Sequence, residues 1–466
     1  MANFREEQYP FWEFDVFPRV FVAGKTSMLQ IRPQGARRMF ASGQTYRLTV
    51  YAMNEGRYRD FPQSAYNPVR NVSATEEGGF AFEITFPREQ EYSLTFSDDR
   101  GEMICRFSVY CVGTDLAGRY PFRGDTHLHT TFSDGKQTPE VVCSNYRAHG
   151  LDFLAITDHR CYYPSLKALE FVKSIPTELV VCPGEEVHLP NANGLHNDVH
   201  IINFGGEYSI NAMMESEATE RFGTEPAVRS LYGECPEVMT QAEYDALMQK
   251  LTDEMELPKD IDRFPAASCK WIFDQIRKAG GLGIFAHPNW VVDTFHVPER
   301  FTDYMVEQGW FDAFEVLGGE RYFEQNGFQT LRYYDDRARG YRYPIVGATD
   351  SHSSYSSNPG AFICSTIVFS EENERTVLIR SIKDFYSVAV DTISAEYRIV
   401  GEPRLARYAC FLLKNYFPLH DEFCFEEGRL MRQAAVGTAD EREEAIAMLK
   451  MLCGRVERQR KKYFAF

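Results

Sequence analysis

Apolar, strand-like runs that carry a metal-ligand residue at one end recur along the middle of this chain, and they limit how it can fold. Six runs share this pattern: FRGDTHLH, LDFLAITDH, LVVCPGEE, NDVHIINFG, GLGIFAHP and YPIVGATDSH. When parallel strands alternate with helices in a barrel, their carboxyl ends meet on one face, where active sites are built. The pattern therefore predicts that these histidines and carboxylates gather in one site.

The first run contains a His-x-His motif, formed by His127 and His129, and Asp134 follows five residues later. Side chains two residues apart leave the same face of a strand, so both imidazoles can reach one ion. Imidazole together with carboxylate suits zinc, manganese or iron. An isolated His-x-His is more often a solvated strand end, so this interpretation depends on the other five runs.

The motifs resemble, in their order, the PHP (polymerase and histidinol phosphatase) family of metal-dependent phosphoesterases. The resemblance extends from Phe122 to Val390 and consists of His-x-His, Ser-Asp-Gly, Thr-Asp-His, Gly-x-Glu, Val-His, Ala-His-Pro and Asp-Ser-His. It implies an α/β fold, a distorted (β/α)7 barrel, with two or three divalent ions. Manganese, zinc and iron are the candidate metals.

The same resemblance implies three ion positions whose ligands all come from these motifs. The first ion would take His127, His129, Glu186 and Asp350; the second Asp134, His159 and His352; and the third His200, His287 and the bridging Glu186. Each ion would keep open positions for water and substrate, which distinguishes a catalytic site from a closed structural one.

Two of these assignments stay open. Gly-x-Glu spacing selects Glu186 over Glu185, and strand alternation lets only one of the two face the site. His188 and His196 compete with His200, which we prefer because its Val-His-Ile context is like that of the family. His188 shares strand parity with Glu186 and stays a candidate for positioning a ligand or contacting substrate.

Charge counting predicts phosphoester chemistry at such a site. Three divalent ions supply about +6, and Asp134, Glu186 and Asp350 return about −3, so the pocket keeps about +3. A hydroxide bridging two ions would attack phosphorus in line, without a protein nucleophile. We therefore predict hydrolysis of a phosphomonoester, a nucleotide or an oligonucleotide end. The alternatives are amidohydrolase-like C–N hydrolysis and a non-catalytic metal-binding scaffold.

Substrate contacts are less constrained by the motifs. Arg160 directly follows Thr-Asp-His and is the candidate phosphate contact, because a guanidinium can bind phosphate through two hydrogen bonds. Asn289, Lys270 and Arg321 are further candidates, and Glu315 is a candidate for orienting a ligand from the end of a strand. The sequence assigns no general acid.

Composition limits the partners. The chain has 466 residues and a formal net charge of −17 at pH 7, which argues against an extended nucleic-acid surface. It contains no 18-residue apolar run and no signal-like N-terminus, so we expect neither a membrane span nor secretion, and a cytoplasmic location. Eleven cysteines without CxxC spacing are typical of reduced thiols. The expected partner is a phosphorylated small molecule or nucleotide, and the oligomeric state stays open.

Three regions differ in pattern. Residues 1–118 contain alternating runs separated by turn residues, which predicts an antiparallel β-sandwich. It would serve either for packing or oligomerisation, or for binding substrate or covering the site. Residues 119–395 would form the barrel, interrupted at 205–265 by an insertion that is either a cap over the site or a peripheral addition. Residues 396–466 show helical spacing and would form a C-terminal extension.

Within the barrel the pattern predicts seven parallel strands, the third being Glu178–Val187 and the fourth Val199–Phe204. Thr138 is the predicted N-cap of the first helix, and Ser268 is the predicted N-cap of a later one. An amphipathic helix is expected over Ala242–Glu254, inside the insertion.

Overall fold

A computed structural model describes residues 14–35, 40–55, 67–291, 293–318, 323–355, 361–392 and 398–466. They form two compact units. One contains the described residues of Met1–Arg119 with Arg407–His420 and Gly454–Phe466, and the other contains those of Tyr120–Ala406 and Asp421–Cys453. The domain boundaries drawn from the sequence stay predictions.

The first unit contains two β-sheets that share one hydrophobic cluster. Its strands are β1 (Phe14–Phe17), β2 (Val20–Val22), β3 (Thr26–Pro33), β4 (Thr45–Ala52), β5 (Val69–Ser73), β6 (Phe80–Thr85), β7 (Gln90–Ser97) and β8 (Met103–Val112). The sheet orders are β1-β3-β6 and β2-β8-β7-β4-β5. Leu29 and Phe80 of the first sheet and Leu48 and Phe96 of the second lie in the same cluster, which the alternating pattern of each strand makes possible.

The second unit is a mixed α/β fold. Its elements before the first long connection are β9 (Tyr120–Asp125), α1 (Pro139–Ala148), β10 (Phe153–Ala155), α2 (Tyr163–Lys173), β11 (Val180–Cys182), β12 (Gly184–Val187) and β13 (Ile201–Phe204). The connection adds α3 (Glu217–Phe222), α4 (Pro226–Arg229) and α5 (Gln241–Glu254). The chain continues with α6 (Arg263–Lys278), β14 (Leu282–Phe285), α7 (Glu299–Gln308), β15 (Ala313–Leu317), α8 (Phe323–Arg339), β16 (Ile345–Gly347), β17 (Cys364–Ser370), α9 (Arg375–Lys383), β18 (Ser387–Asp391) and β19 (Arg398–Val400).

Two sheets enclose the core of this unit. Their strand orders are β11-β10-β9-β17-β18-β19 and β12-β13-β14-β15-β16. Phe122 and Phe153 of one sheet lie in the same hydrophobic cluster as Ile202, Ile284 and Val346 of the other. The strand runs are apolar on both faces because each strand is covered on both sides.

The prediction of seven parallel strands is wrong for the fourth. Strands β9, β10 and β11 are parallel, as are β14, β15 and β16, but β13 is antiparallel to both β12 and β14. A parallel pair requires a crossover that is usually helical. The fully described connection between β12 and β13 contains instead a turn in which Ala192 and Leu195 exchange backbone hydrogen bonds.

The predicted third strand, Glu178–Val187, is also not continuous. Pro183 divides it into β11 and β12, which lie in different sheets. Proline has no N–H to donate and therefore interrupts a hydrogen-bond ladder. This break sends the chain from the first sheet to the second, and it places Glu186 on the second.

Two predicted helix starts agree with the structure, and one differs. Thr138 precedes α1 with Pro139 at the first helical position, as predicted, and α5 coincides with the expected amphipathic helix. The prediction that Ser268 caps a helix is wrong, because α6 begins at Arg263 and the carboxylate of Asp262 accepts the Phe264 N–H at 3.2 Å. Ser268 lies inside that helix.

The C-terminal segment is helical, as predicted. It contains α10 (Pro403–Asn415), α11 (Phe417–Val436), α12 (Ala439–Leu452) and α13 (Arg455–Tyr463). Thr438 and Glu441 form a capping box at the start of α12. None of the described helices is both long and apolar enough to cross a membrane.

Candidate metal centre

The predicted ligands lie at strand ends in the second unit, and the structure brings all nine into one group of contacts. They come from both sheets, which explains how residues more than 200 positions apart can meet. His127, His129 and Asp134 follow β9, His159 follows β10, Glu186 lies on β12, His200 precedes β13, His287 follows β14, and Asp350 and His352 follow β16.

The reversed direction of β13 explains the position of His200. This residue comes before its strand, whereas the other histidines follow theirs. Because β13 is antiparallel to β14, its amino end lies beside the carboxyl end of β14, where the Ala286 N–H donates to the His200 carbonyl at 3.3 Å. The His200 Nδ1 atom therefore lies 2.5 Å from Glu186 Oε1.

The residues predicted for the first ion form a buried cluster. His127 Nε2 and His129 Nε2 are 3.2 Å apart, and Asp350 Oδ1 lies 3.1 Å and 2.8 Å from them. Glu186 Oε2 lies 3.4 Å and 3.5 Å from the same two nitrogens. One ligand atom from each of the four residues lies within 4.8 Å of the others, which is close enough for a single ion to contact all four.

The residues predicted for the second ion lie on a more exposed side. Asp134 Oδ2 is 3.2 Å from His352 Nε2 and 3.7 Å from His159 Nε2. His129 joins these three residues in one possible ligand group. The Asp134 side chain is 57% exposed, and that of His352 is 31% exposed, so solvent reaches this part of the centre.

Glu186 lies between the groups, as the bridging role requires. Its Oε2 is 2.6 Å from His159 Nδ1, and its Oε1 lies 3.6 Å from both His287 Nε2 and His188 Nε2. The preferred residue His200 is part of this arrangement, as is the competing residue His188. The other competitor, His196, is 62% exposed and pairs with Asp198 at 3.4 Å.

Polar atoms of the centre are buried with few partners outside it. Both ring nitrogens of His287 have no hydrogen bond from a described residue, and the Glu186 oxygens contact only imidazole nitrogens of the centre, among them His200 Nδ1 at 2.5 Å and His159 Nδ1 at 2.6 Å. Glu186 is fully buried, and His287 is 2% exposed. Buried polar groups without partners are costly, and imidazole nitrogens together with carboxylate oxygens are donors that zinc, iron or manganese accepts. The residues therefore fit divalent ions.

The electrostatics keep the carboxylates ionised. Burial alone raises the pKa of Glu186, but His200, His159 and His127 outweigh it and hold that pKa well below its ordinary value. The pKa of Asp350 is likewise lowered, because the attraction of His127 and His129 exceeds the cost of burial. Ionised carboxylates are the form that binds metal.

Two buried aspartates, Asp125 and Asp158, hold predicted ligands in position, and the sequence did not identify either of them as a site residue. Asp125 accepts the His127 N–H at 3.1 Å and the Thr349 hydroxyl at 2.7 Å, which ties the ends of β9 and β16 together. Asp158 accepts the Ser133 hydroxyl at 2.6 Å and thereby holds the loop that carries Asp134. Asp158 is the middle residue of the Thr-Asp-His motif, and Asp125 lies two residues before His127, so their positions in or beside the motifs were the available signal.

Glu315 makes the contact that its predicted role requires. Its Oε2 lies 3.0 Å from His127 Nδ1, so the other nitrogen of that ring, Nε2, faces Glu186 and Asp350. Such a contact fixes the orientation of a ligand imidazole and raises its basicity. The role itself stays a prediction.

Three of the four candidate substrate contacts lie within the described residues, and they differ in exposure and in the partners they already have. Arg160 is largely exposed, and its guanidinium lies 3.3 Å from Glu217 of α3. Asn289 is buried, with an Oδ1 that accepts no hydrogen bond from the described chain. Lys270 pairs with Asp274 at 2.7 Å. Arg321 lies outside the described residues.

The insertion touches the loop of the second group. The Arg221 guanidinium, at the end of α3, donates to the Phe132 carbonyl, two residues before Asp134. The Phe222 ring lies 6.1 Å from the Phe132 ring and 5.2 Å from the Tyr163 ring. The insertion therefore packs directly on a loop that carries a predicted ligand.

Comparisons with known proteins give only distant likenesses. No family model matches the chain, and no curated protein matches it. Solved structures that are similar include a two-domain protein from Bacteroides vulgatus containing a predicted PHP-like metal-dependent phosphoesterase, at 17% identity and a TM-score of 0.37, covering 58% of this chain and 65% of that one. The chain thus spans just under two thirds of that protein.

Two further structures are similar over about half of this chain. A protein from Bifidobacterium adolescentis, assigned as a metal-dependent phosphoesterase, shares 18% identity over 56% of this chain and 94% of its own, with a TM-score of 0.32. An amidohydrolase from Chromobacterium violaceum with bound sulfate shares 19% identity over 49% and 87%, with a TM-score of 0.29.

Proposed function

We propose that this protein is a metal-dependent phosphoesterase that hydrolyses a phosphomonoester, a nucleotide or an oligonucleotide end. The observation that carries the proposal is the environment of Glu186. Its buried carboxylate lies within 3.6 Å of a nitrogen of six histidines: His127, His129, His159, His188, His200 and His287. A carboxylate among so many neutral or cationic nitrogens is arranged to bridge cations rather than to support the fold.

Each group of residues has its own part in this proposal. Divalent ions held there would lower the pKa of water and neutralise phosphate oxygens. Asp134 and His352, on the exposed side, would face the entering substrate. Asp158 and Glu315 hold the loop of Asp134 and the ring of His127 in position, which limits the reorganisation needed when substrate binds.

We further propose that the second unit is a distorted form of the (β/α)7 barrel and that the first unit is a β-sandwich. The barrel is supported by ligands from both sheets at one end of a shared core, and the sandwich by two sheets that contribute to one cluster. The insertion at 205–265 would cap the metal centre, because Arg221 and Phe222 pack on the Phe132 loop.

Phosphate release tests this proposal. With manganese or zinc added, the protein is expected to release phosphate from some members of a panel of phosphomonoesters and nucleotides. His127→Ala is expected to lower that rate at least about 100-fold. Removing a residue that only orients a ligand costs up to about 100-fold, and His127 is itself a predicted ligand, so its loss should cost at least as much. His196→Ala is the matched control, since His196 is exposed and lies outside the cluster, and its rate should not change.

Other outcomes would separate the alternatives. Hydrolysis of amides but not of phosphoesters would replace the proposal with amidohydrolase-like chemistry. Inactivity on both classes of substrate, with ions bound, would indicate a metal-binding scaffold.

A further inference from the structure

His296 belongs to none of the sequence motifs, but it lies beside two predicted ligands of the third ion, His200 and His287. One ring nitrogen of each of His200, His287 and His296 lies within 4.8 Å of the others. The His296 ring centroid is 4.2 Å from that of His200 and 5.6 Å from that of His287. His296 therefore lies where a ligand of the third ion would have to be.

The loop after β14 holds His296 in this place through its backbone. The Trp290 N–H donates to the His287 carbonyl at 2.9 Å, and the His296 N–H donates to the Trp290 carbonyl at 2.7 Å. The Val297 N–H then donates to the Pro288 carbonyl at 3.0 Å. These bonds turn the chain back on itself, so a residue nine positions after His287 returns to its side.

Two of the three rings that converge here have buried nitrogens without a hydrogen bond from the described part of the chain. They are His296, at Nδ1, and His287, at both ring nitrogens, whereas His200 Nδ1 lies 2.5 Å from Glu186 Oε1. A buried imidazole nitrogen left without a partner costs free energy. One nitrogen from each of His200, His287 and His296 lies in the group, and an ion that binds one nitrogen of each ring would offset this cost.

We propose that His296 is a fourth protein ligand of the third ion, together with Glu186, His200 and His287. The inference rests on the proposed metal centre, and it gives the third ion a fourth protein ligand where the motifs leave an open position. Three imidazole nitrogens and one carboxylate oxygen would supply four protein donors, the number that a closed zinc site uses. The third position would then be closed, and the open positions for water and substrate would belong to the other two.

The closed site also has a structural consequence. Asn289 and Phe295 of the same loop line a cavity of about 490 Å³ between α7 and α8. An ion bound by both His287 and His296 crosslinks the two ends of this loop. An ion held by His287 and His296 would therefore fix one wall of the cavity and stabilise the loop.

Histidine footprinting on the unaltered protein tests the assignment. Diethyl pyrocarbonate modifies free imidazole nitrogens, and mass spectrometry measures the extent at each residue. Adding zinc to metal-free protein is expected to reduce the modification of His296 at least about fivefold, while exposed His196 reacts equally in both states. Equal reactivity of His296 with and without zinc would overturn the proposal.

A variant provides the second measurement. His296→Gln keeps a polar side chain of similar size, and it is expected to bind one zinc ion fewer per chain than the unaltered protein by elemental analysis after dialysis. His196→Gln should bind the full number. An unchanged zinc content in His296→Gln overturns this inference alone, whereas the absence of any zinc in the unaltered protein overturns the proposed metal centre as well.

Discussion

Glu186→Gln is expected to lower the number of bound divalent ions and to reduce phosphate release by at least about 100-fold, the loss seen when one preorganised charge-stabilising group is removed. The amide keeps the shape of the side chain but loses the negative charge and one acceptor oxygen. Since Glu186 Oε1 and Oε2 face different histidine groups, the change affects more than one ion position. Elemental analysis and a phosphate-release assay on the same preparation measure both effects.

The neighbouring glutamate supplies the control. Glu185 is equally buried, but it points to the other side of β12, where it accepts the Ser209 hydroxyl at 2.6 Å and the Asn211 amide at 2.9 Å. Glu185→Gln is expected to lower thermal stability, because the new amide group faces donors, and to leave the metal content unchanged. If Glu185→Gln lost ions while Glu186→Gln kept them, the choice between the two glutamates would be reversed.

Glu427→Gln is expected to reduce the free energy of unfolding by about 1.5–3 kcal/mol, the usual contribution of a hydrogen bond to a charged group. Arg147, which is fully buried, would lose one of its two carboxylate partners. Its guanidinium lies 2.8 Å from Glu427 and 3.2 Å from Asp152. Urea denaturation measures the loss. Glu443→Gln, on an exposed position of α12, should stay within about 0.5 kcal/mol of the unaltered protein.

The ion pair of Glu427 and Arg147 also predicts how the stability of the protein changes with pH. Burial alone raises the pKa of Glu427, but Arg147, the Thr177 hydroxyl and the Glu178 N–H outweigh it and lower that pKa. A lowered folded-state pKa means that the carboxylate stabilises the protein above its unfolded pKa of about 4.3, and that this stability is lost as the pH falls through the folded-state value. Stability of Glu427→Gln should therefore fall less steeply below about pH 4.3 than that of the unaltered protein. Parallel curves would contradict the role of this pair.

The residues of the candidate site could be predicted because each is tied to a strand end. In a strand the side-chain period is two, so His127 and His129 had to share a face, and Glu186 had to point away from Glu185. Burial of the apolar runs then brings the strand ends together. The meeting of distant residues such as His159 and Asp350 around one carboxylate follows from these local rules and from the motif order.

Other features depend on interactions that the sequence pattern does not contain. The direction of β13 is set by pairing with β12 and β14 and by a non-helical connection, while an apolar run reads the same in either direction. The placement of His296 depends on three backbone hydrogen bonds within a loop. Asp262 replaces Ser268 as a helix cap because both residue types favour that position, and only the packing of α6 decides where the helix begins.

Anomalous diffraction from crystals soaked in a manganese or zinc salt tests the central claim most directly, because it locates bound ions independently of any activity. The account predicts peaks about 2.0–2.3 Å from ligand atoms, one beside His127 and Asp350, one beside Asp134 and His352, and one beside His200 and His287, with Glu186 in contact with more than one of them. A map with no peak within bonding distance of Glu186, or with ions only elsewhere on the chain, would contradict it.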